Sequence, residues 1–156
     1  MEDFLAALEA TGPAQYLRVS RWGYAAVSGA HILGIALLVG AVLPLNLRLL
    51  GLWHTIPRAD LLRVLVPVAV TGLALAVVTG ILLFSVRAQE YAGTGYLQVK
   101  LALVFVGILS AAMIHRSYGL MLEGASRGRL TCHALISIGC WLGALACGRL
   151  IAFAGD

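Results

Sequence analysis

Leu61 to Val86 reads LLRVLVPVAVTGLALAVVTGILLFSV. Its one charge, Arg63, stands near the start, and the residues that follow are apolar all round a helical wheel, leaving no polar face for water. A bilayer crossing needs ~20 such residues, and this stretch is long enough to span. Lipid hydrocarbon offers no hydrogen bonds, so a single apolar segment crosses it as a helix that satisfies its own backbone.

Three further runs have the same character, from about Trp22 to Leu50, about Tyr96 to Ile114, and about Cys132 to Phe153. Trp22, Trp53, Tyr91, Tyr96 and Tyr118 lie near the ends of the runs, where an aromatic belt meets the headgroups. The chain has 156 residues, 61% hydrophobic and 12% charged, with a mean hydropathy of +0.95. Four spans (22–50, 61–86, 96–114 and 132–153) and short loops use nearly all of it, so residues 1–156 form one domain. The expected fold is all-α: a transmembrane four-helix bundle with a short N-terminal interfacial helix. Phe4, Leu5 and Leu8 give that leading helix its apolar side, within a segment Glu2 to Leu17 interrupted by Gly12-Pro13. The start, Met1-Glu2-Asp3, lacks the basic region and cleavage site of a secretory signal, so the first span is read as an uncleaved anchor.

Four spans put both ends and the 87–95 loop on one face, side A, and the 51–60 and 116–131 loops on the other, side B. Side B carries Arg48, Arg58, Arg63, Arg116, Arg127 and Arg129; side A carries Arg18, Arg21, Arg87, Lys100 and Arg149. Six against five makes side B cytoplasmic and both termini periplasmic by the positive-inside rule. The net charge of +4 comes mostly from arginines at span ends, which suits anionic lipid and points away from nucleic acid. Cys132, Cys140 and Cys147 all fall in the last span and read as small packing residues, without a disulfide framework.

Small residues recur every fourth position: Gly72, Ala76 and Gly80; Gly107 and Ala111; Gly139, Gly143 and Cys147. Such seams let helices, or a flat cofactor, approach the backbone. Pro44 and Pro67 could kink the first two spans near side B.

A polar group at membrane depth is costly and therefore a functional candidate. His31 lies about nine residues past Trp22, roughly 13 Å along the helix and too deep to snorkel. Ser28, His31 and Gly34 share a face, which leaves bare backbone beside the imidazole where a porphyrin could lie, and Gly80 stands at a similar level. The alternative is a neutral imidazole hydrogen-bonded to a neighbouring helix. Lys100, four residues into the third span, is either an interfacial anchor or a counter-charge or second ligand above His31. Arg149 approaches side A on the fourth span and could meet a carboxylate such as a haem propionate. Near side B, His115, His133 and His54, with Arg48, Arg63 and Arg116 around them, could form a second cofactor or metal site. There His115 is the leading metal ligand, because Gly107, Ala111 and His115 lie within ~80° on the helix. His31 and His115 are separated by ~15–20 Å along the membrane normal and do not suit one iron. No carboxylate lies mid-span, which argues against a carboxylate-based ion pump. No nucleotide-binding loop, Ser/His/Asp arrangement, CxxC or HExxH motif is present.

The tract His31-Ile-Leu-Gly-Ile-Ala-Leu-Leu-Val-Gly-Ala-Val-Leu-Pro-Leu-Asn-Leu-Arg48-Leu-Leu-Gly51 resembles the first histidine-bearing span of the bacterial membrane proteins HemJ and CopD, as does Gln98-Val99-Lys100-Leu101. A closer resemblance, over nearly the whole chain, is to an uncharacterised bacterial family of four-helix integral membrane proteins. It rests on Leu8-Glu9-Ala10, Leu17-Arg18, the His31 span, His115-Arg116 and Gly148-Arg149-Leu150-Ile151-Ala152-Phe153. HemJ is a b-type haem protein acting as a protoporphyrinogen oxidase, and CopD is linked to copper uptake. The resemblance to HemJ implies His31 as a haem ligand with Lys100 as its companion. At Leu43-Pro44-Leu45-Asn46-Leu47-Arg48 extra residues separate proline from arginine, a departure from HemJ that bears on the porphyrinogen chemistry.

These readings converge on a multi-pass protein of the bacterial inner membrane that binds one or two haem b groups and transfers electrons. Its partners would be the lipid bilayer and a quinone or a redox partner protein, with a second copy of the chain admissible. Three alternatives stay open: a HemJ-like porphyrinogen oxidase; a CopD-like copper-handling or transport protein using Met113, Met121, His115 and His133; and a structural subunit of a membrane complex.

Overall fold

The computed structural model describes residues 2–153, and among these every regular element is a helix. In chain order they are α1 (Glu2–Glu9), α2 (Gly12–Val19), α3 (Arg21–Leu49), α4 (Arg58–Val86), α5 (Ala88–Ala92), α6 (Gly95–Tyr118) and α7 (Arg127–Phe153). Helices α3, α4, α6 and α7 are long and apolar enough to cross a membrane. The architecture is the all-α four-helix bundle expected.

The spans begin and end close to the apolar runs, with two informative differences. Helix α6 continues past Ile114 to Tyr118, and α7 starts at Arg127 rather than near Cys132. Apolarity marks the hydrocarbon slab, not the helix end: α4, with 29 residues, is roughly 44 Å long against a core of ~30 Å. The extra turns carry Arg116, Arg127 and Arg129 out to the headgroups. Pro44 and Pro67 both lie inside uninterrupted helices, and the Thr71 hydroxyl donates to the Pro67 carbonyl at 2.9 Å.

Two helical hairpins make the bundle. Helix α3 packs along α4, α6 packs along α7, and the pairs join where α3 meets α7. Gly34 and Gly72 are the reason α3 and α4 lie so close. A Cβ at Gly72 would stand 2.6 Å from the Leu38 nitrogen, and one at Gly34 would stand 2.7 Å from the Ala76 nitrogen. Side chains are thereby excluded from the crossing, and backbone packs on backbone. The α3–α7 junction is pinned by Asn46, 1% exposed, whose Nδ2 donates to Ser137 Oγ at 2.8 Å. Ser110 and His133 share a 2.9 Å hydrogen bond between α6 and α7.

Toward side B the bundle is closed. Leu49, Leu62, Ile114, Leu122, Leu130 and Ala134 form one buried cluster drawn from all four spans and the 119–126 loop. The backbones of α4 and α6 nowhere approach each other among the described residues, and toward side A no such cluster fills the gap between them.

The N-terminal segment is two short helices, broken at Thr11, rather than one. They lie across the side A ends of α4 and α5, with Ala14 and Leu17 buried. Charge holds them there. Arg18 Nη2 donates to the Val86 carbonyl at the α4 C-terminus at 2.6 Å and pairs with Glu9 at 3.3 Å. Glu9 Oε1 in turn accepts from the Gln89 N–H, in the first turn of α5, at 2.9 Å. The cation therefore meets the negative end of one helix and the carboxylate the free N–H groups of the next. These contacts hold the Glu9 carboxyl below the usual carboxylate range, the Gln89 N–H first among them.

Candidate functional site

Where α4 and α6 part, the structure leaves a cavity of about 350 Å³ in the side A half of the bundle. All four spans contribute to it: His31 from α3, Gly80 and Phe84 from α4, Lys100 and Val104 from α6, and Trp141 from α7. Val77 and Ile81 of α4 and Leu101 of α6 line the cavity yet are 43%, 57% and 59% exposed, so they form the rim of an opening toward lipid. The volume falls in the range of small-molecule sites, ~300–1,000 Å³, and so does the pattern of apolar walls with few polar groups. The ionisable side chains in that lining are His31 and Lys100.

His31 is held by a short chain of hydrogen bonds. Its Nδ1 lies 3.0 Å from Thr79 Oγ1, and that hydroxyl lies 2.6 Å from the Leu75 carbonyl one turn back on α4. A carbonyl only accepts, so the single hydroxyl proton goes to Leu75. Toward His31 the threonine oxygen can then only accept, and Nδ1 carries the proton. In that tautomer Nε2 carries the lone pair, the arrangement in which imidazoles bind metals. Gly80 supplies flat backbone beside the ring: a Cβ there would stand 3.1 Å from His31 Cε1.

Lys100 is half-buried and lines the same cleft as His31. Gly148 of α7 makes room for it, since a Cβ there would stand 3.3 Å from Nζ. Neither of the ion pairs among the described residues, Arg18–Glu9 and Arg87–Glu90, involves it. An ammonium without a carboxylate beside an apolar cleft suits an anionic group on a ligand.

The sequence candidates divide accordingly. His31, Lys100 and Gly80 come together in the cleft. Gly34 faces α4 and serves the helix crossing, so the bare backbone at the imidazole is that of Gly80. Arg149 is exposed on α7 and Arg116 is exposed at the end of α6, neither in the cleft lining. His115 Nδ1 donates to the Gly119 carbonyl at 3.3 Å, and His133 bonds Ser110. His54 is in the exposed 51–57 loop. Among the described residues no three His, Cys, Asp or Glu side chains converge where they could hold a metal ion, so the three side B imidazoles do not form one cluster. The three cysteines are free thiols.

Thr79 and Trp141 had no place in the sequence reading of the site. A mid-span threonine one position before Gly80 was the available signal for Thr79, but its role depends on α3 lying against α4. Trp141 is 6% exposed and packs on Gly107, which only the α6–α7 pairing reveals.

Fold and cleft together define a class, a four-span helical membrane bundle with a lipid-facing, histidine-bearing cavity. No protein-family model, curated protein or solved structure matches the chain.

Proposed function

We propose that the cleft binds haem b with His31 as an iron ligand, and that the protein is an electron carrier of the membrane. The observation that carries this reading is the oriented imidazole. Its Nδ1–H is committed to Thr79, which puts the lone pair on Nε2 of a side chain that lines an apolar cavity with glycine backbone beside it. The donor chemistry fits haem: a neutral nitrogen for iron, apolar walls for the macrocycle and an ammonium for a propionate. Haem would supply one-electron chemistry. The chain itself would hold the imidazole through Thr79, balance ligand carboxylate through Lys100, and keep water away with Phe84, Val104 and Trp141. The rim at Val77, Ile81 and Leu101 gives a lipid-borne group or a quinone a path from the bilayer. The resemblance to HemJ at the His31 and Lys100 tracts points the same way.

Protein purified in mild detergent after expression with ample haem should show a Soret band and α and β bands that sharpen on dithionite reduction. His31→Ala and His31→Gln should both lose haem or change its spin state. A colourless wild type would overturn the proposal and favour a transport protein or structural subunit.

The unpaired Lys100 favours a second reading, a HemJ-like porphyrinogen oxidase whose tetrapyrrole carboxylate sits at the ammonium. Rescue of a strain lacking its own oxidase separates this enzyme from an electron carrier.

A further inference from the structure

The two faces of the protein handle charge differently. On side A two of the five cations, Arg18 and Arg87, are ion-paired, with Glu9 and Glu90. On side B, six arginines share the face with two carboxylates, Asp60 and Glu123, and no ion pair forms there among the described residues. Three of the six guanidiniums are tethered to neutral acceptors instead. Arg48 donates to the carbonyls of Ile56 and His54, Arg58 to the carbonyl of Leu122, and Arg129 to the Tyr118 hydroxyl while standing over that ring. These bonds fix the side chains and leave their charge uncompensated. The other three, Arg63, Arg116 and Arg127, are exposed.

The loops between them have an unusual backbone. Trp53 and Leu122 adopt left-handed φ values of 49° and 54°, which non-glycine residues rarely do. Leu122 is thereby turned into the side B core at 1% exposure, whereas Trp53 is 49% exposed beside Leu52 and Ile56. Each loop residue thus goes where its chemistry suits a membrane interface: leucine into the bundle, indole to the headgroup level. Strain of this kind persists only where the surroundings hold it; the arginine bonds to Ile56, His54 and Leu122 lie in the same two loops, and Leu122 is packed into the side B cluster as well.

We propose that side B is a binding surface for anionic phospholipid, with Arg63, Arg116 and Arg127 contacting headgroup phosphates and Trp53 seated at the same level. Exposed guanidiniums outside any ion pair among the described residues, on the same face as the exposed Leu52, Trp53 and Ile56, match a phosphodiester whose acyl chains continue along the spans. An acidic protein would find the charge but would have to cover Leu52, Trp53 and Ile56, which lipid covers already. The proposal is independent of the side A cleft and of any cofactor in it.

The test uses the full chain in vesicles of phosphatidylcholine mixed with phosphatidylglycerol, one or the other brominated on the acyl chain close to the headgroup. A Trp22→Phe variant leaves Trp53 as the exposed indole, since Trp141 is buried. Brominated phosphatidylglycerol should quench this emission severalfold more effectively than brominated phosphatidylcholine. Replacing Arg63, Arg116 and Arg127 singly by Gln should lower the preference by about fivefold at most for each guanidinium in contact, and the triple variant should abolish it. Native mass spectrometry should show the triple variant retaining less phosphatidylglycerol. Arg87→Gln on side A should change neither readout. Equal quenching by the two lipids in the parent, or an unchanged preference in the triple variant, overturns the proposal.

Discussion

Thr79→Val is the substitution that isolates orientation of the imidazole from its mere presence. Valine keeps the branched shape and removes the oxygen, so the 3.0 Å bond to His31 Nδ1 and the 2.6 Å bond to the Leu75 carbonyl both disappear. The ring then loses the contact that fixes its tautomer and its angle. Partners of this kind are worth ~10–100-fold in metal affinity, or about 1.4–2.8 kcal/mol. The bundle itself should survive, because an interhelical hydrogen bond in lipid contributes ~0.6 kcal/mol on average and ~1.7 at most. Haem titration of the apoprotein, followed at the Soret band, should therefore show affinity lowered within that range, with the unfolding midpoint in denaturing detergent little changed. Thr79→Ser restores the oxygen and should restore most of the affinity. Wild-type affinity in Thr79→Val would refute the reasoning, leaving His31 oriented by packing alone, and this result is distinct from a protein that never binds haem.

Other expectations follow from particular contacts. Gly72→Val places a Cβ 2.6 Å from the Leu38 nitrogen, where only backbone could yield, so α3 and α4 must separate; a loss of about 1–3 kcal/mol or more is expected in reversible unfolding. Gly29→Ala, with nothing within 4 Å, should instead be neutral or slightly stabilising. A double-mutant cycle on Asn46→Ala and Ser137→Ala should return a coupling of ~0.6 kcal/mol, and no coupling would mean that the 2.8 Å contact contributes nothing. Glu9 has its carboxyl pKa depressed by the Gln89 N–H and Arg18, so its contribution to docking is present above the ordinary value of 4.5 and is lost as pH falls through the lower folded value. Amide exchange in α2, corrected for intrinsic rates, should rise over that acidic window in the wild type, while Glu9→Gln should exchange faster at neutral pH with no such rise. Reporter fusions in the 123–129 loop should read cytoplasmic and one at Asp156 periplasmic; a cytoplasmic C-terminus reverses the orientation and keeps the four spans.

The sequence by itself determined that this chain makes four apolar helices, because in lipid a segment of sufficient length has no alternative to satisfying its own backbone. It also placed His31 and Gly80 at one depth, since rise per residue along a straight helix is fixed by covalent geometry. Which helices touch was not in that pattern. Each span is apolar all round, so composition names no inward face, and the small residues that carry the choice do so only against a particular neighbour. Gly34 meets Gly72 and Ala76, while Gly139 four residues from Gly143 meets nothing within 4 Å. The side B imidazoles show the same limit, being near in height and yet separately engaged, His115 with Gly119 and His133 with Ser110. Tertiary structure alone decided that α4 and α6 stand apart while Asn46 and Ser137 draw α3 to α7. That gap puts His31 in a cleft, because a cavity is the space left by a pairing, and in a membrane the pairing is set by backbone approach and a few polar contacts instead of by hydrophobicity.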